Sequence, residues 1–157
     1  MSDVYKYAEE DAFYCFTNLM GEINNYFCQS LDSTSLGINA TVSKIDFLIK
    51  KADFQLWNHL QKMQVYPYFY IFRWVSLLLS QEFTMPDLVR VWDSLFSDTN
   101  RFEFLTFFCA AMPICIRDSL LESNYSSSIS ILQNYPPISV DLLFQEALRI
   151  HNQFGKI

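Results

Sequence analysis

The sequence predicts an all-α protein, an irregular array of several helices, and three observations predict it. Apolar residues recur at spacings of three and four, as in Phe13, Phe16, Met20, Ile23 and Phe27, which is the period of a helix face. Helix start and stop signals punctuate the chain, among them Thr84-Met85-Pro86-Asp87 and Pro136-Pro137. Strand alternation is absent, and three glycines in 157 residues leave little room for tight hairpins.

The elements follow in order. The first helix runs from Glu9 to about Ser30, with Glu9, Glu10 and Asp11 in the first turn, where the helix dipole favours acids. A polar loop from Leu31 to Leu36 separates it from a second helix over Gly37 to Lys51, with Val42, Ile45 and Leu48 or Ile49 inward. Asp53 is placed to cap a short third helix whose contact face is Leu56, Trp57 and Leu60. Val65-Tyr66-Pro67 breaks the chain, because a residue before proline avoids helical geometry. A fourth helix is expected over Tyr68 to Ser80.

Thr84, Pro86 and Asp87 supply a cap, an early proline and an acid three residues after the cap, so a fifth helix should run to Phe96. A sixth is expected over Arg101 to Glu122, kinked at Pro113. A polar stretch from Ser123 to Ser128 precedes a short helix to Gln133. After the two prolines, Ser139 should cap a last helix that carries Leu142, Leu143, Ala147, Leu148 and Ile150.

Composition narrows the function. The chain is 51% hydrophobic and 17% aromatic, with 18% charged residues against a usual ~25%. That excess suggests that part of the apolar inventory meets something beyond the chain. A net charge of −6 argues against nucleic acid, whose phosphates are held by a basic surface. Lys44, Lys50, Lys51 and Lys62 form a local basic cluster, best read as a solvated helix face, with contact to an acidic partner or a membrane surface as the alternative. The uncharged run Phe104 to Ile116 is thirteen residues long, short of the ~20 that span a bilayer, so no transmembrane segment is expected. Met1 to Lys6 is polar and lacks a signal pattern.

Cys15, Cys28, Cys109 and Cys115 have no C-x-x-C spacing, and their apolar neighbours should raise the thiol pKa, giving reduced, inert core thiols in the cytosol. The sequons at Asn39 and Asn124 are then chance matches. His59 and His151 lie far apart, so no zinc site is expected and each should be a surface or helix-end residue. Glycine-rich phosphate loops are absent, and no cofactor or metal is called for. The aromatic run Tyr66, Tyr68, Phe69, Tyr70, Phe72 and Trp74 has the spacing of a core face.

One segment stands apart. Ile71, Phe72, Trp74, Val75, Leu77, Leu78 and Leu79 surround Arg73 with apolar side chains on every face of a helix. A guanidinium there must be paired, since an uncompensated buried charge costs about 3–5 kcal/mol. Glu82, Asp87 and Asp93 are the candidate partners. Phe72-Arg73-Trp74, then Leu77-Leu78, Glu82 and Trp92-Asp93, resemble the C-terminal signature of the TBC-domain Rab GTPase-activating proteins, F-R-W-x-x-L-L…E…W-D. Glu9 to Met20 resembles the segment that follows the catalytic glutamine in that family. The resemblance covers about residues 8–153, as a single partial domain: the C-terminal subdomain.

The resemblance implies a role with Rab small GTPases in vesicle trafficking. An arginine finger supplied in trans accelerates GTP hydrolysis by roughly 10³ to 10⁵. The family is understood to supply an arginine from I-x-x-D-x-x-R and a glutamine from Y-x-Q, both upstream of the matched segment. None of the nine tyrosines here has glutamine two residues on. Asp87-Leu88-Val89-Arg90 echoes D-x-x-R, but Thr84 stands at the isoleucine position, and Arg90 is set aside as a finger. No catalytic residue is expected in this chain, which would not be an enzyme and would be inactive alone. Phe72, Arg73, Trp74, Glu82, Trp92 and Asp93 are then mainly structural. The implied partners are a Rab GTPase and the upstream half of the same domain, at a cytoplasmic location or peripherally at endomembranes. The alternative is a non-catalytic binding module that sequesters a Rab or pairs with another TBC protein.

Overall fold

The computed structural model describes residues 6–28, 37–100 and 102–155. The expected loop at Leu31 to Leu36, the first five residues, the far end of the first predicted helix and Arg101 lie outside them. Among the described residues there are nine α-helices, two short 3₁₀ turns and no strand. The chain divides into two compact units, residues 1–40 and 41–157.

In the first unit, α1 (Ala8–Ile23) gives way to a 3₁₀ turn at Asn24–Phe27. Its first-turn acids stand where the dipole argument places them. The apolar stripe forms, but it is not a core: Phe13, Phe16 and Phe27 are more than half exposed, and of the five stripe residues Ile23 alone is buried. Periodicity reports a face, and here that face stands open.

The helix α2 (Ile38–Ala52) begins in the first unit and continues into the second, and Val42, Ile45, Leu48 and Ile49 point inward as expected. In α3 (Phe54–Lys62), Asp53 caps the first turn by accepting the Leu56 N–H at 2.9 Å. The same carboxylate takes Arg117 Nε at 2.6 Å, and Arg117 Nη2 reaches Gln55 at 2.7 Å. One aspartate thereby starts α3 and ties it to α7 (Arg117–Leu121).

The predicted fourth helix is interrupted. Pro67–Phe69 is a 3₁₀ turn, Tyr70 departs from helical geometry, and α4 spans only Ile71–Ser76. Next, α5 (Met85–Phe96) starts at the predicted proline signal. Its Thr84 hydroxyl donates to the Asp87 carboxylate at 3.0 Å, so no side-chain cap to the backbone forms.

The core of the second unit is α6 (Glu103–Cys115), in which nine consecutive residues from Leu105 to Pro113 are buried. Pro113 lies inside α6, which ends at Cys115, and α7 follows from Arg117 after a non-helical Ile116, so the expected single kinked helix is two helices. Asn124 accepts the Ser127 N–H at 3.0 Å and caps α8 (Tyr125–Gln133). The final helix, α9 (Val140–Phe154), packs along α6. It buries Val140, Leu143, Ala147 and Ile150, while Leu142 and Leu148 are about half exposed because they fall outside that spacing of three and four.

Aromatic edges join these helices. Phe108 meets Phe144 at 5.4 Å between centroids and Phe83 at 6.0 Å, and Phe83 and Trp74 both reach Tyr135. The Tyr135 hydroxyl donates to the Met112 carbonyl at 2.9 Å. Truncating Phe108 should open a cavity at the centre of this set. Phe108→Ala is expected to cost about 3–5 kcal/mol, measured as a lowered urea midpoint with a lower melting temperature.

Candidate functional site

The segment from Phe69 to Trp92 folds around one ion pair. Arg73 comes from α4, and the chain must return within nine residues to bring Glu82 against it. It does so through two consecutive leucines in the left-handed region, Leu78 at φ 47° and Leu79 at φ 63°. Such geometry costs an ordinary L-residue about 1–3 kcal/mol, and persists where the surroundings enforce it. Both leucines are buried, and Leu79 N–H reaches back to the Trp74 carbonyl at 2.9 Å. The turn delivers Glu82, whose side chain is only 1% exposed, to a side-on approach: Arg73 Nε to Oε1 and Nη2 to Oε2, both 3.0 Å.

Two further contacts make this pair a junction. Arg73 Nη2 also donates to the Gln133 carbonyl at the end of α8, and the Gln133 amide donates to the Phe69 carbonyl at 3.1 Å. Trp92 of α5 donates its indole N–H to the Leu78 carbonyl at 2.8 Å, holding the turn from the other side. Trp74 is fully buried between Tyr70 and Tyr135, and Phe72 lies 5.0 Å from the Tyr68 ring.

The structure thus selects Glu82 from the three candidate partners of Arg73. Asp87 is engaged by Thr84, and Asp93 is exposed on α5. It also corrects the expectation of a helix buried all round: the Arg73 side chain is 33% exposed, Phe72 is half-buried and Leu77 lies at the surface. The helix buries Ile71, Trp74, Val75 and Ser76 and turns the face of Phe72 and Arg73 toward solvent. Of the aromatic run, Tyr70 and Trp74 are core, whereas Tyr66, Tyr68 and Phe69 are exposed. The sequence pattern had no signal for Gln133 as a partner of Arg73, since its role is played by a backbone carbonyl.

Arg90 makes an exposed ion pair with Asp141. His151 is exposed and edge-on to Phe107, and His59 is half-buried near the end of α3. Cys15 and Cys28 are exposed, contrary to the expectation of core thiols, because the helix face and turn that carry them stand open. Burial pushes the Cys109 thiol far up. It raises Cys115 to about 11, with Glu146 adding and Arg149 opposing. Among the described residues no three His, Cys, Asp or Glu side chains converge as metal ligands, and no helix is long and apolar enough to cross a membrane. A groove of about 540 Å³ between the α5–α6 turn and α9 is lined by Asp98, Glu103, Phe104, Phe144, Leu148 and His151. Its acids are engaged: Asp98 accepts from the Asn100 and Phe104 N–H groups, and Glu103 faces Lys44.

The arrangement is a clamp in which four residues of the sequence signature, Arg73, Leu78, Glu82 and Trp92, meet the backbone carbonyl of Gln133. The chain belongs to the Rab-GTPase-TBC domain family, whose model matches residues 4–121. TBC1 domain family member 13 of Mus musculus is 44% identical over 151 residues, covering 96% of this chain and 38% of the relative. TBC1 domain family member 5 of the same organism is 33% identical over 156 residues, covering 85% of this chain and 19% of that protein. The crystal structure of the Ypt/Rab-GAP domain of Gyp1p superposes with a TM-score of 0.81 at 31% identity, over 92% of this chain and 45% of that one. The chain therefore spans well under half the length of the curated relatives it matches.

Burial holds the Glu82 carboxyl above its ordinary value of 4.5, against the opposing charge and hydrogen bonds of Arg73. The folded state then binds the proton more tightly than the unfolded chain does. The stability this confers is full below pH 4.5 and is lost as pH rises through the raised folded value. Urea titrations at a series of pH values should show a component of that loss in the wild type that is missing in Glu82→Gln; equal slopes would remove Glu82 as its source. Trp92→Phe should cost about 1–3 kcal/mol, because the Leu78 carbonyl of the strained turn is left without its donor.

Proposed function

We propose that this chain is the C-terminal part of a GTPase-activating protein for Rab small GTPases in vesicle trafficking, a single partial TBC domain. It carries the structural, Rab-supporting half, and the arginine and glutamine fingers come from the upstream half of the same domain. The chain catalyses nothing itself; the whole domain lends residues to hydrolysis by the Rab, in the cytoplasm or at the periphery of endomembranes. The observation that carries this reading is the fold match: 92% of this chain corresponds to less than half of a Rab-GAP domain, with the clamp around Arg73 and Glu82 complete.

Two features support it. The I-x-x-D-x-x-R and Y-x-Q patterns do not occur in the sequence, and the D-x-x-R echo that begins at Asp87 ends at Arg90, which is paired with Asp141. The exposed rings of Phe13, Tyr14 and Phe16 on α1 supply an apolar face of the kind an upstream half would cover. In this reading Phe72, Arg73, Trp74, Glu82, Trp92 and Asp93 brace the domain, and contribute to Rab stimulation only by holding its shape.

The test is single-turnover GTP hydrolysis by a panel of Rabs. The 157-residue chain alone should leave the rates unchanged. Fused behind the upstream half of a related domain, it should restore acceleration toward the roughly 10³–10⁵ worth of an arginine finger. Stimulation by the isolated chain, abolished by Arg90→Ala, would sink the proposal. Retention of GTP-loaded Rab with unchanged hydrolysis even in the fused form would replace it with a binding module.

A further inference from the structure

The junction of α2 and α3 combines lysines with exposed aromatic rings. The protein carries a net charge of −6, yet here cations alternate with exposed aromatic rings. Phe47 is 42% exposed and Phe54 59%. The exposed Lys50 and Lys51 close α2, with Lys51 Nζ 5.3 Å from the Phe47 ring centroid and Lys50 Nζ 4.4 Å from that of Trp57. Trp57 in turn lies 5.8 Å from Phe54, with the two planes 31° apart. Phe47, Lys50 and Lys51 share one face of α2 by their spacing of three and four, and the Lys50 contact extends the patch onto α3.

The neighbouring acids are turned to other work. Asp46 is half-buried and accepts the Trp57 indole N–H at 2.9 Å, although it also feels the charge of Lys50. Asp53 holds the start of α3 and Arg117. Glu103 faces Lys44 at 3.5 Å. Among the described residues, neither Lys50 nor Lys51 has a carboxylate within ion-pair distance.

We infer that the α2–α3 corner is a docking surface for an anionic lipid bilayer, with Lys50 and Lys51 toward the phospholipid headgroups and Phe47 and Phe54 at the acyl boundary. A lysine stem reaches past apolar surface so that its ammonium group stays in the polar layer, and a phenyl ring that leaves water at that depth adds to the attraction. Each lysine near an anionic leaflet contributes about fivefold to partitioning. An acidic protein would feel the same charge. It would be better held by a planar guanidinium fork, and Arg117, the guanidinium at this corner, is occupied by Asp53 and Gln55. Lysine point charges flanked by projecting phenyl rings suit a fluid headgroup layer.

Vesicle co-sedimentation of the 157-residue chain tests this. Binding should be at least tenfold tighter to vesicles of phosphatidylcholine with about 30% phosphatidylserine than to phosphatidylcholine alone. It should fall between about 0.1 M and about 0.5 M salt. The double charge reversal Lys50→Glu with Lys51→Glu should lose at least about 25-fold, and Lys50→Arg with Lys51→Arg should retain binding. Phe47→Ser with Phe54→Ser should weaken it, all with unchanged far-UV circular dichroism, since these side chains are exposed. Equal binding to neutral vesicles, or full binding by a folded charge-reversed chain, would overturn the assignment. Capture on a polyglutamate resin without vesicle binding would overturn it in favour of an acidic protein.

Discussion

The second unit depends on the ion pair between Arg73 and Glu82. It is a lopsided pair, with the arginine one-third exposed and the carboxylate side chain almost wholly enclosed. Burial raises the pKa of that carboxyl, and the side-on guanidinium and the hydrogen bonds it donates oppose the rise. The same guanidinium holds the last carbonyl of α8, so one side chain joins α4, the returning turn and a helix sixty residues away in sequence. Removing Arg73 would leave an enclosed carboxylate without its guanidinium, the situation in which broken pairs are most destabilising.

That pair explains the strained leucines. A chain leaving α4 in a right-handed path would carry Glu82 away from Arg73. Two left-handed residues reverse the course within a few positions, and the Trp92 indole N–H holds the Leu78 carbonyl. Leucine rather than glycine at these positions costs backbone energy and returns buried apolar surface, because both side chains are enclosed. The tryptophan of the signature thus holds a leucine carbonyl of the same signature, and the spacing between them is the spacing of a single folded knot.

Behind this knot lies the α6–α9 pair with its aromatic contacts. The open aromatics of α1 and the turn at Tyr66 to Phe69 fit a protein whose relatives are more than twice as long. The GTPase-activating role proposed above uses this half as the frame that holds a reactive half in place. The α2–α3 corner adds a different surface, in which charge is combined with apolar rings, and would orient that frame on a bilayer.

The sequence by itself determined the helical class, the cap at Asp53, the start of α5, the inward face of α2 and the family signature, because each is local: periodicity, a side chain three residues from the N–H it accepts, a proline at a helix start. It narrowed the partner of Arg73 to three acids without choosing, since all three lie within reach of a flexible chain. The tertiary structure decided the rest. Leu78 and Leu79 look helical by propensity and are left-handed because Glu82 and Trp92 pull the turn closed; Gln133 joins through its backbone, which has no sequence signal. The stripe on α1 and the leucines 142 and 148 match an apolar pattern, yet whether a face is buried depends on what packs against it, and that is a property of the assembled fold.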